Sequence, residues 1–139
     1  MGQPYLTKVF HFCAAHQYGH EEWSEEKNES VFGPDARVHG HNYALEVTVT
    51  GTVNSETGFC VDLGDLKAIV DKYVLSQLDH AQIEKDVPWF KGKQPSSENM
   101  VRFIWEQIES RLQGPRLHRI RLRETPTIFT DYYGDRGGF

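Results

Sequence analysis

His39 and His41 stand two residues apart at the start of a stretch whose apolar side chains recur at every second position. Read as a strand, it places His39, His41, Tyr43, Leu45, Val47 and Val49 on one face, because strand side chains alternate with a period of two. Both imidazoles then point the same way, with packing below them and water above. A second run, Tyr5 to Ala15, puts Leu6, Phe10, Phe12 and Ala14 on one face, interrupted by Lys8, and His16 ends that face. An H-x-H pair alone is common, and a histidine at a sheet edge needs no metal. Three of them at the ends of two pairing strands would converge. Three protein ligands with a fourth position open is the arrangement of a catalytic zinc rather than a structural one. Cys13 faces away from His16 in a regular strand and reads as a small core residue.

Other residues could take part. Leu117 to Thr125 reads as a strand with Leu117, Arg119, Arg121 and Arg123 on one face and His118, Ile120, Leu122 and Glu124 on the other. A carboxylate that extends an apolar face is costly unless paired. Glu124 therefore calls for an arginine or for a ligand offering two parallel N–H donors. Asp79 and His80 are adjacent at the end of a helical pattern, where an aspartate can orient an imidazole that moves protons. Ser96 and Ser97 open a second helical pattern, and helix capping accounts for either without a ligand.

These residues need a scaffold. The run Leu63, Leu66, Ile69, Val70, Tyr73, Val74 and Leu78 has the spacing of an amphipathic helix capped by Asp62. Val101, Ile104, Trp105, Ile108 and Leu112 form the stripe of a second, closed by Gly114-Pro115. A short strand is expected over Phe59 to Val61, and a fourth long one over Thr127 to Tyr133, after Pro126 breaks the third. Gln17 to Arg37 is polar and acidic and reads as one long loop, tethered by Trp23 and Phe32, that either covers the histidines or is a mobile insertion. Asp86 to Gln94 reads as a loop and Gly134 to Phe139 as a loose tail. The order gives an α+β domain over residues 1–139: a four-stranded antiparallel sheet with two helices on one face. Its two open edges favour oligomerisation.

The chain has 139 residues, a net charge of −5, 38% hydrophobic and 25% charged residues. That composition fits a globular domain. The charge and the lack of a basic stripe argue against a nucleic-acid partner, and no apolar stretch is long enough for a membrane span. The N-terminus lacks the pattern of a signal peptide, so Cys13 and Cys60 are expected to be reduced thiols in a cytoplasmic protein.

The motifs in series are more specific than any one of them. Phe12-Cys13-Ala14-Ala15-His16, His39-Gly40-His41-Asn42-Tyr43, Asp62-Leu63-Gly64-Asp65-Leu66-Lys67, Leu78-Asp79-His80, Pro95-Ser96-Ser97-Glu98-Asn99 and Glu124-Thr125 resemble the 6-pyruvoyl-tetrahydropterin synthase / 6-carboxy-tetrahydropterin synthase family. Their order and near-family spacing run from about Val9 to Tyr133. The resemblance implies a tunnelling fold (T-fold) whose subunits form rings that stack, commonly as a hexamer of two trimers, with sites between subunits. It implies Zn2+ on His16, His39 and His41. It also implies a pterin held by Glu124 and lined by Ser96, Ser97 and Glu98, and a proton relay through Asp79 and His80. The family's substrate is 7,8-dihydroneopterin triphosphate, whose side-chain hydroxyls bind the zinc.

One position departs from the family. Its usual catalytic cysteine follows Phe-Gly-x, shortly before H-G-H, and here Phe32-Gly33-Pro34-Asp35 puts Asp35 there. A thiol with a pKa of about 8.5 and a carboxyl with one of about 4 are not interchangeable bases. Three readings follow. The chain is a zinc-dependent lyase that eliminates triphosphate or shortens the pterin side chain, with Asp35 or the Asp79–His80 pair as base. Alternatively it uses Asp35 to cleave the side chain to 6-hydroxymethyl-dihydropterin, or it is a non-catalytic pterin- or purine-binding oligomer. Biopterin, folate and queuosine-type pathways all fit.

Overall fold

A computed structural model describes residues 2–136. Four strands, β1 (Tyr5–His16), β2 (His39–Thr50), β3 (Arg116–Thr125) and β4 (Ile128–Tyr132), form one antiparallel sheet in the order β1-β2-β3-β4. The alternation holds along β1 and through β2 as far as Val47, after which Thr48, Val49 and Thr50 are all buried. The register pairs Phe12 with Tyr43, whose rings stack 4.8 Å apart, and His16 with His39. Leu45, Val47 and Val49 are fully buried on the same face.

Two helices cover that face. α2 (Leu63–Val70) is capped by Asp62, whose side chain accepts from the backbone N–H groups of Gly64 and Asp65. It continues through a π-helical segment (Asp71–Leu75) into a last turn (Ser76–Leu78). α3 (Ser97–Glu109) is capped by Ser96, whose hydroxyl accepts from the Asn99 N–H. Leu66, Val70, Val74 and Leu78 from the first meet Met100, Ile104 and Ile108 from the second in the core. At about 1.5–3 kcal/mol per fully buried large apolar side chain, this layer is the main support of the sheet's inner face.

Several expectations change. The connection 17–37 is not one long loop. It contains α1 (Glu25–Phe32), followed by a 3-10 turn (Gly33–Ala36). Ser24 caps α1, Glu25 and Glu26 lie in its first turn, and Gly33 ends it at φ 60°. No α1 residue is buried, so no apolar stripe marked it. Trp23 and Phe32 do stack on each other, 6.1 Å apart, and Phe32 also meets Tyr18. Phe59 to Val61 forms no strand. It follows a turn in which Asn54 accepts the Gly58 N–H and donates to Phe59 O. Within 86–94, Pro88–Phe90 makes a 3-10 turn, preceded by a one-turn helix at Ile83–Asp86. The fourth strand is shorter than expected. Gly134–Arg136 is a 3-10 turn rather than loose tail, and the rest of that tail lies outside the described residues.

The largest correction concerns β3. Thr48 pairs with Arg119 but Val49 with Leu117, so His118 is an extra residue. Such a bulge breaks the period of two. Leu117, assigned to the arginine face, is therefore buried together with Ile120 and Leu122. A second shift lies between Arg123, opposite Phe129, and Thr125, opposite Ile128. Glu124 is the residue left without an opposite number.

Candidate metal centre and its surroundings

The ends of β1 and β2 bring His16, His39 and His41 together. Their rings lie 4.5 to 5.2 Å apart, and one nitrogen from each falls within 4.8 Å of the other two. Backbone carbonyls orient two of them. His16 Nδ1 is 2.8 Å from Pro95 O and His39 Nδ1 is 2.7 Å from Arg37 O. A carbonyl can only accept, so Nδ1 carries the proton and Nε2 keeps its lone pair. That is the tautomer of a metal-bound histidine held from behind by a second partner. His16 is fully buried, and desolvation, ahead of repulsion from His39 and His41, pushes its pKa below the usual histidine value. Among the described residues, His16 Nε2 and His41 Nε2 are buried nitrogens without a hydrogen-bond partner. A buried polar atom left unpaired is costly, and a cation at the point of convergence would satisfy both. The donor set, three imidazoles, suits zinc.

Glu124 borders this centre. Its Oε1 is 2.9 Å from His41 Nε2, out of line for a hydrogen bond, and 3.6 Å from His16 Nε2. Its Oε2 accepts from Ser97 Oγ at 3.4 Å. The bulge in β3 sets it there, since the unpaired residue of a bulge is re-aimed relative to its strand. One short segment ties these features together. Pro95 holds His16, Ser96 caps α3 and buried Ser97 reaches Glu124. Glu98 is exposed on the first turn of α3.

Asp35 lies on the 3-10 turn after α1, with Oδ1 3.7 Å from His39 Nε2, and is 63% exposed. Its carbonyl accepts the Tyr18 N–H. Asp79 and His80 are elsewhere. Their contacts run to Cys13, on the outer face of β1. Six of the expected site residues thus gather at one sheet end (His16, His39, His41, Glu124, Ser97 and Asp35), and the Asp–His pair forms a separate cluster.

Sequence reasoning missed Tyr18. Its ring meets His16 edge-on at 5.1 Å and lies parallel to His39. Burial, then the charges of Glu124, Glu98 and Asp35, raises its pKa. Carrying the alternation of β1 two residues past His16 would have found it. The Tyr43 hydroxyl is also buried without a partner, its pKa raised by burial and by Glu124. The clamp on the connection was not foreseen either. Gln94 bonds both backbone groups of Gly19, and Asn28 does the same for His20.

The chain is similar to known proteins over nearly its full length. A sequence model of the family described as 6-pyruvoyl tetrahydropterin synthase matches residues 5–135. The 6-pyruvoyl tetrahydrobiopterin synthase of Poecilia reticulata is 35% identical over 133 residues, covering 94% of this chain and 90% of that protein. The 6-carboxy-5,6,7,8-tetrahydropterin synthase of Synechocystis sp. is 32% identical over 135 residues, covering 94% of each. The solved structure of Caenorhabditis elegans 6-pyruvoyl tetrahydropterin synthase superposes with a TM-score of 0.89 at 33% identity, covering 97% of this chain and 98% of that one. The fold is thus the tunnelling fold, and the chain belongs to the 6-pyruvoyl tetrahydropterin synthase family.

Proposed function

We propose that this family member is a zinc-dependent lyase acting on the side chain of 7,8-dihydroneopterin triphosphate. The observation that carries the reading is the convergence of one ring nitrogen each from His16, His39 and His41 beside Glu124, with His16 Nε2 and His41 Nε2 buried and unpaired. Zinc, when bound, supplies Lewis acidity that eases deprotonation of a coordinated hydroxyl. The chain's own residues do the rest. Pro95 O and Arg37 O fix the tautomers of two ligands. Glu124 accepts the two N–H donors of the pterin's amidine-like edge, and Ser97 orients it. Ser96 and Glu98 line the approach, and the Tyr18 ring packs edge-on against His16 and parallel to His39. Proton traffic falls to Asp35, beside His39, and to the Asp79–His80 pair.

Assembly fits the same reading. Tyr5 and Val9 on β1 and Ile128 and Phe129 on β4 are exposed apolar residues on the two outer strands of the sheet. Pairing such edges between copies would bury them, in keeping with a ring-forming hexamer of two trimers. No helix among the described residues is long and apolar enough to cross a membrane, and two free cysteines suit a cytoplasmic setting.

The test is one incubation. Zinc-loaded protein receives 7,8-dihydroneopterin triphosphate, and mass spectrometry identifies the pterin product against a His39→Ala control. A 6-pyruvoyl or 6-carboxy product absent from the control is expected, and a 6-hydroxymethyl product would redirect the reading to side-chain cleavage by Asp35. Unchanged substrate, or turnover that survives the loss of zinc, would sink it.

A further inference from the structure

Cys13 lies on the outer face of β1, and the segment after α2 runs beside it as a short added strand. His80 N donates to Cys13 O at 2.6 Å, Ala15 N donates to Ala81 O at 2.8 Å, and Ala15 bridges to Gln82 in parallel. This pairing sets Asp79 and His80 against the sulfur. One donor atom from each of the three residues falls within 4.8 Å of the other two. Cys13 Sγ is 3.7 Å from His80 Nε2 and 3.9 Å from Asp79 Oδ1. A tetrahedral cation at about 2.3 Å from a sulfur and about 2.1 Å from a nitrogen or oxygen holds such donors about 3.5 Å apart. The sulfur therefore stands within a few tenths of an ångström of both coordination edges without any movement of the backbone. The inner face of the sheet offers three imidazoles, whereas this set contains a thiol, and thiolate ligands select thiophilic ions.

Three further observations agree. Asp79 Oδ1 accepts the Cys13 backbone N–H at 3.1 Å, which fixes the carboxylate from behind as a second partner fixes a metal ligand. That N–H, and then the charge of His80, holds the Asp79 pKa below the usual carboxylate value, so it is an anion. His80 has φ 65°, and it is the one non-glycine residue with positive φ among the described residues. Such a conformation persists only where its surroundings hold it, and the bond from His80 N to Cys13 O does so. A shallow cavity of about 340 Å³ opens beside the thiol, between Cys13, His80 and Asn42, and gives a fourth coordination position access to water.

We propose that Cys13, His80 and Asp79 form a second metal site, for a thiophilic divalent cation of the zinc class, separate from the three-histidine centre. His80 is 78% exposed and Asp79 40% exposed. Side chains this free lose rotamer entropy when a cation fixes them, so the site fills only after the buried histidines and exchanges its ion readily. Binding inhibits the protein. The ion takes both members of the Asp79–His80 pair as ligands and withdraws them from proton traffic. The site stands on its own geometry; its effect on turnover rests on the lyase reading above and deepens it into regulation by excess metal.

The test uses whole protein carrying one zinc per chain. Added Co2+ should give a sulfur-to-cobalt charge-transfer band that saturates at one cobalt per chain, a band that three imidazoles cannot produce. Cys13→Ser should lose the band and Cys60→Ser should keep it. His80→Asn, whose side chain tolerates positive φ, should weaken cobalt binding about tenfold or more. Iodoacetamide alkylation, resolved by peptide mass spectrometry, compares Cys13 with Cys60 in the same chain. Added Cd2+ should slow the alkylation of Cys13 about tenfold or more, because the metal occupies the thiolate, and leave Cys60 unchanged. Cd2+ should also lower turnover of 7,8-dihydroneopterin triphosphate, and Cys13→Ser should resist it. Absence of the band, a band that survives Cys13→Ser, or a Cys13 that Cd2+ does not protect overturns the site whether or not any pterin is converted. Inhibition that persists in Cys13→Ser overturns the link to turnover. A Cys13-dependent band in a protein that converts no pterin supports the site and refutes the lyase reading alone.

Discussion

Cys13 and His16 are three residues apart on β1, yet their surroundings are opposite in kind. His16 is fully buried, its Nδ1 tied to a carbonyl and its Nε2 unpaired. His80, beside Cys13, is 78% exposed, with Asp79 on one nitrogen and the thiol on the other. Burial with a backbone acceptor behind the ring yields a neutral, fixed lone pair, which suits a metal. Exposure with a carboxylate behind the ring leaves an imidazole that is oriented yet open to solvent. The period of two on a single strand is enough to separate the two chemistries.

The sharpest way to break this contrast is His39→Ala. Zinc should fall from about one per chain to near none and turnover should vanish, while the ratio of Cys13 to Cys60 alkylation stays unchanged. A changed ratio, read in the peptide assay, would show that the two clusters are not independent. Next in size is Glu124→Gln, which keeps a polar side chain but loses the charge. Hydrogen bonds to a charged group contribute about 1.5–3 kcal/mol, so KM for the pterin should rise roughly 10- to 100-fold with zinc content unaltered. Loss of zinc in that variant would recast Glu124 as a metal ligand.

Acid should distinguish the faces too. Burial depresses the folded-state pKa of His16 below the ordinary histidine value of about 6.5. Its contribution is complete above pH 6.5 and is lost as pH falls from there towards the folded value, at no more than about 1.4 kcal/mol per pH unit from one group. The outer-face Asp131 is held below the ordinary aspartate value of about 3.9 by its hydrogen bonds to Arg121, so it contributes down to that pH and is lost only beneath it. Urea midpoints of metal-free protein at pH 7.5, 6 and 5 should therefore decline, and a flat series would show that His16 is not held neutral. The smallest effect is Ser96→Ala, which removes the α3 cap. It should lower stability by about 1 kcal/mol and leave Cys13 alkylation untouched, with thermal melting as the readout.

How much of this was legible depended on the period of each element. β1 and the histidine-bearing part of β2 alternate, so the meeting of His16, His39 and His41 could be read from spacing. α2 and α3 carry full apolar stripes and were equally plain. β3 carries two bulges, and a bulge leaves no periodic trace, so Leu117 was put on the wrong face. The aim of Glu124 came only from its cost on an apolar face. α1 buries nothing, and its one legible signal was Ser24 followed by two glutamates and closed by Gly33. The Cys13 cluster was least accessible. It depends on a backbone pairing between 80–82 and β1 and on a left-handed His80, neither of which composition or pattern encodes.

The bond from His16 to Pro95 spans 79 residues, and that from Ser97 to Glu124 spans 27. Contacts so distant in sequence close only after the sheet has formed and α3 has docked, because the loop entropy must be met first. The contacts that steady the three imidazoles are therefore expected to close late in folding. A cation bound there would then act mainly on the lifetime of the native state, and its removal is expected to speed unfolding more than it slows refolding.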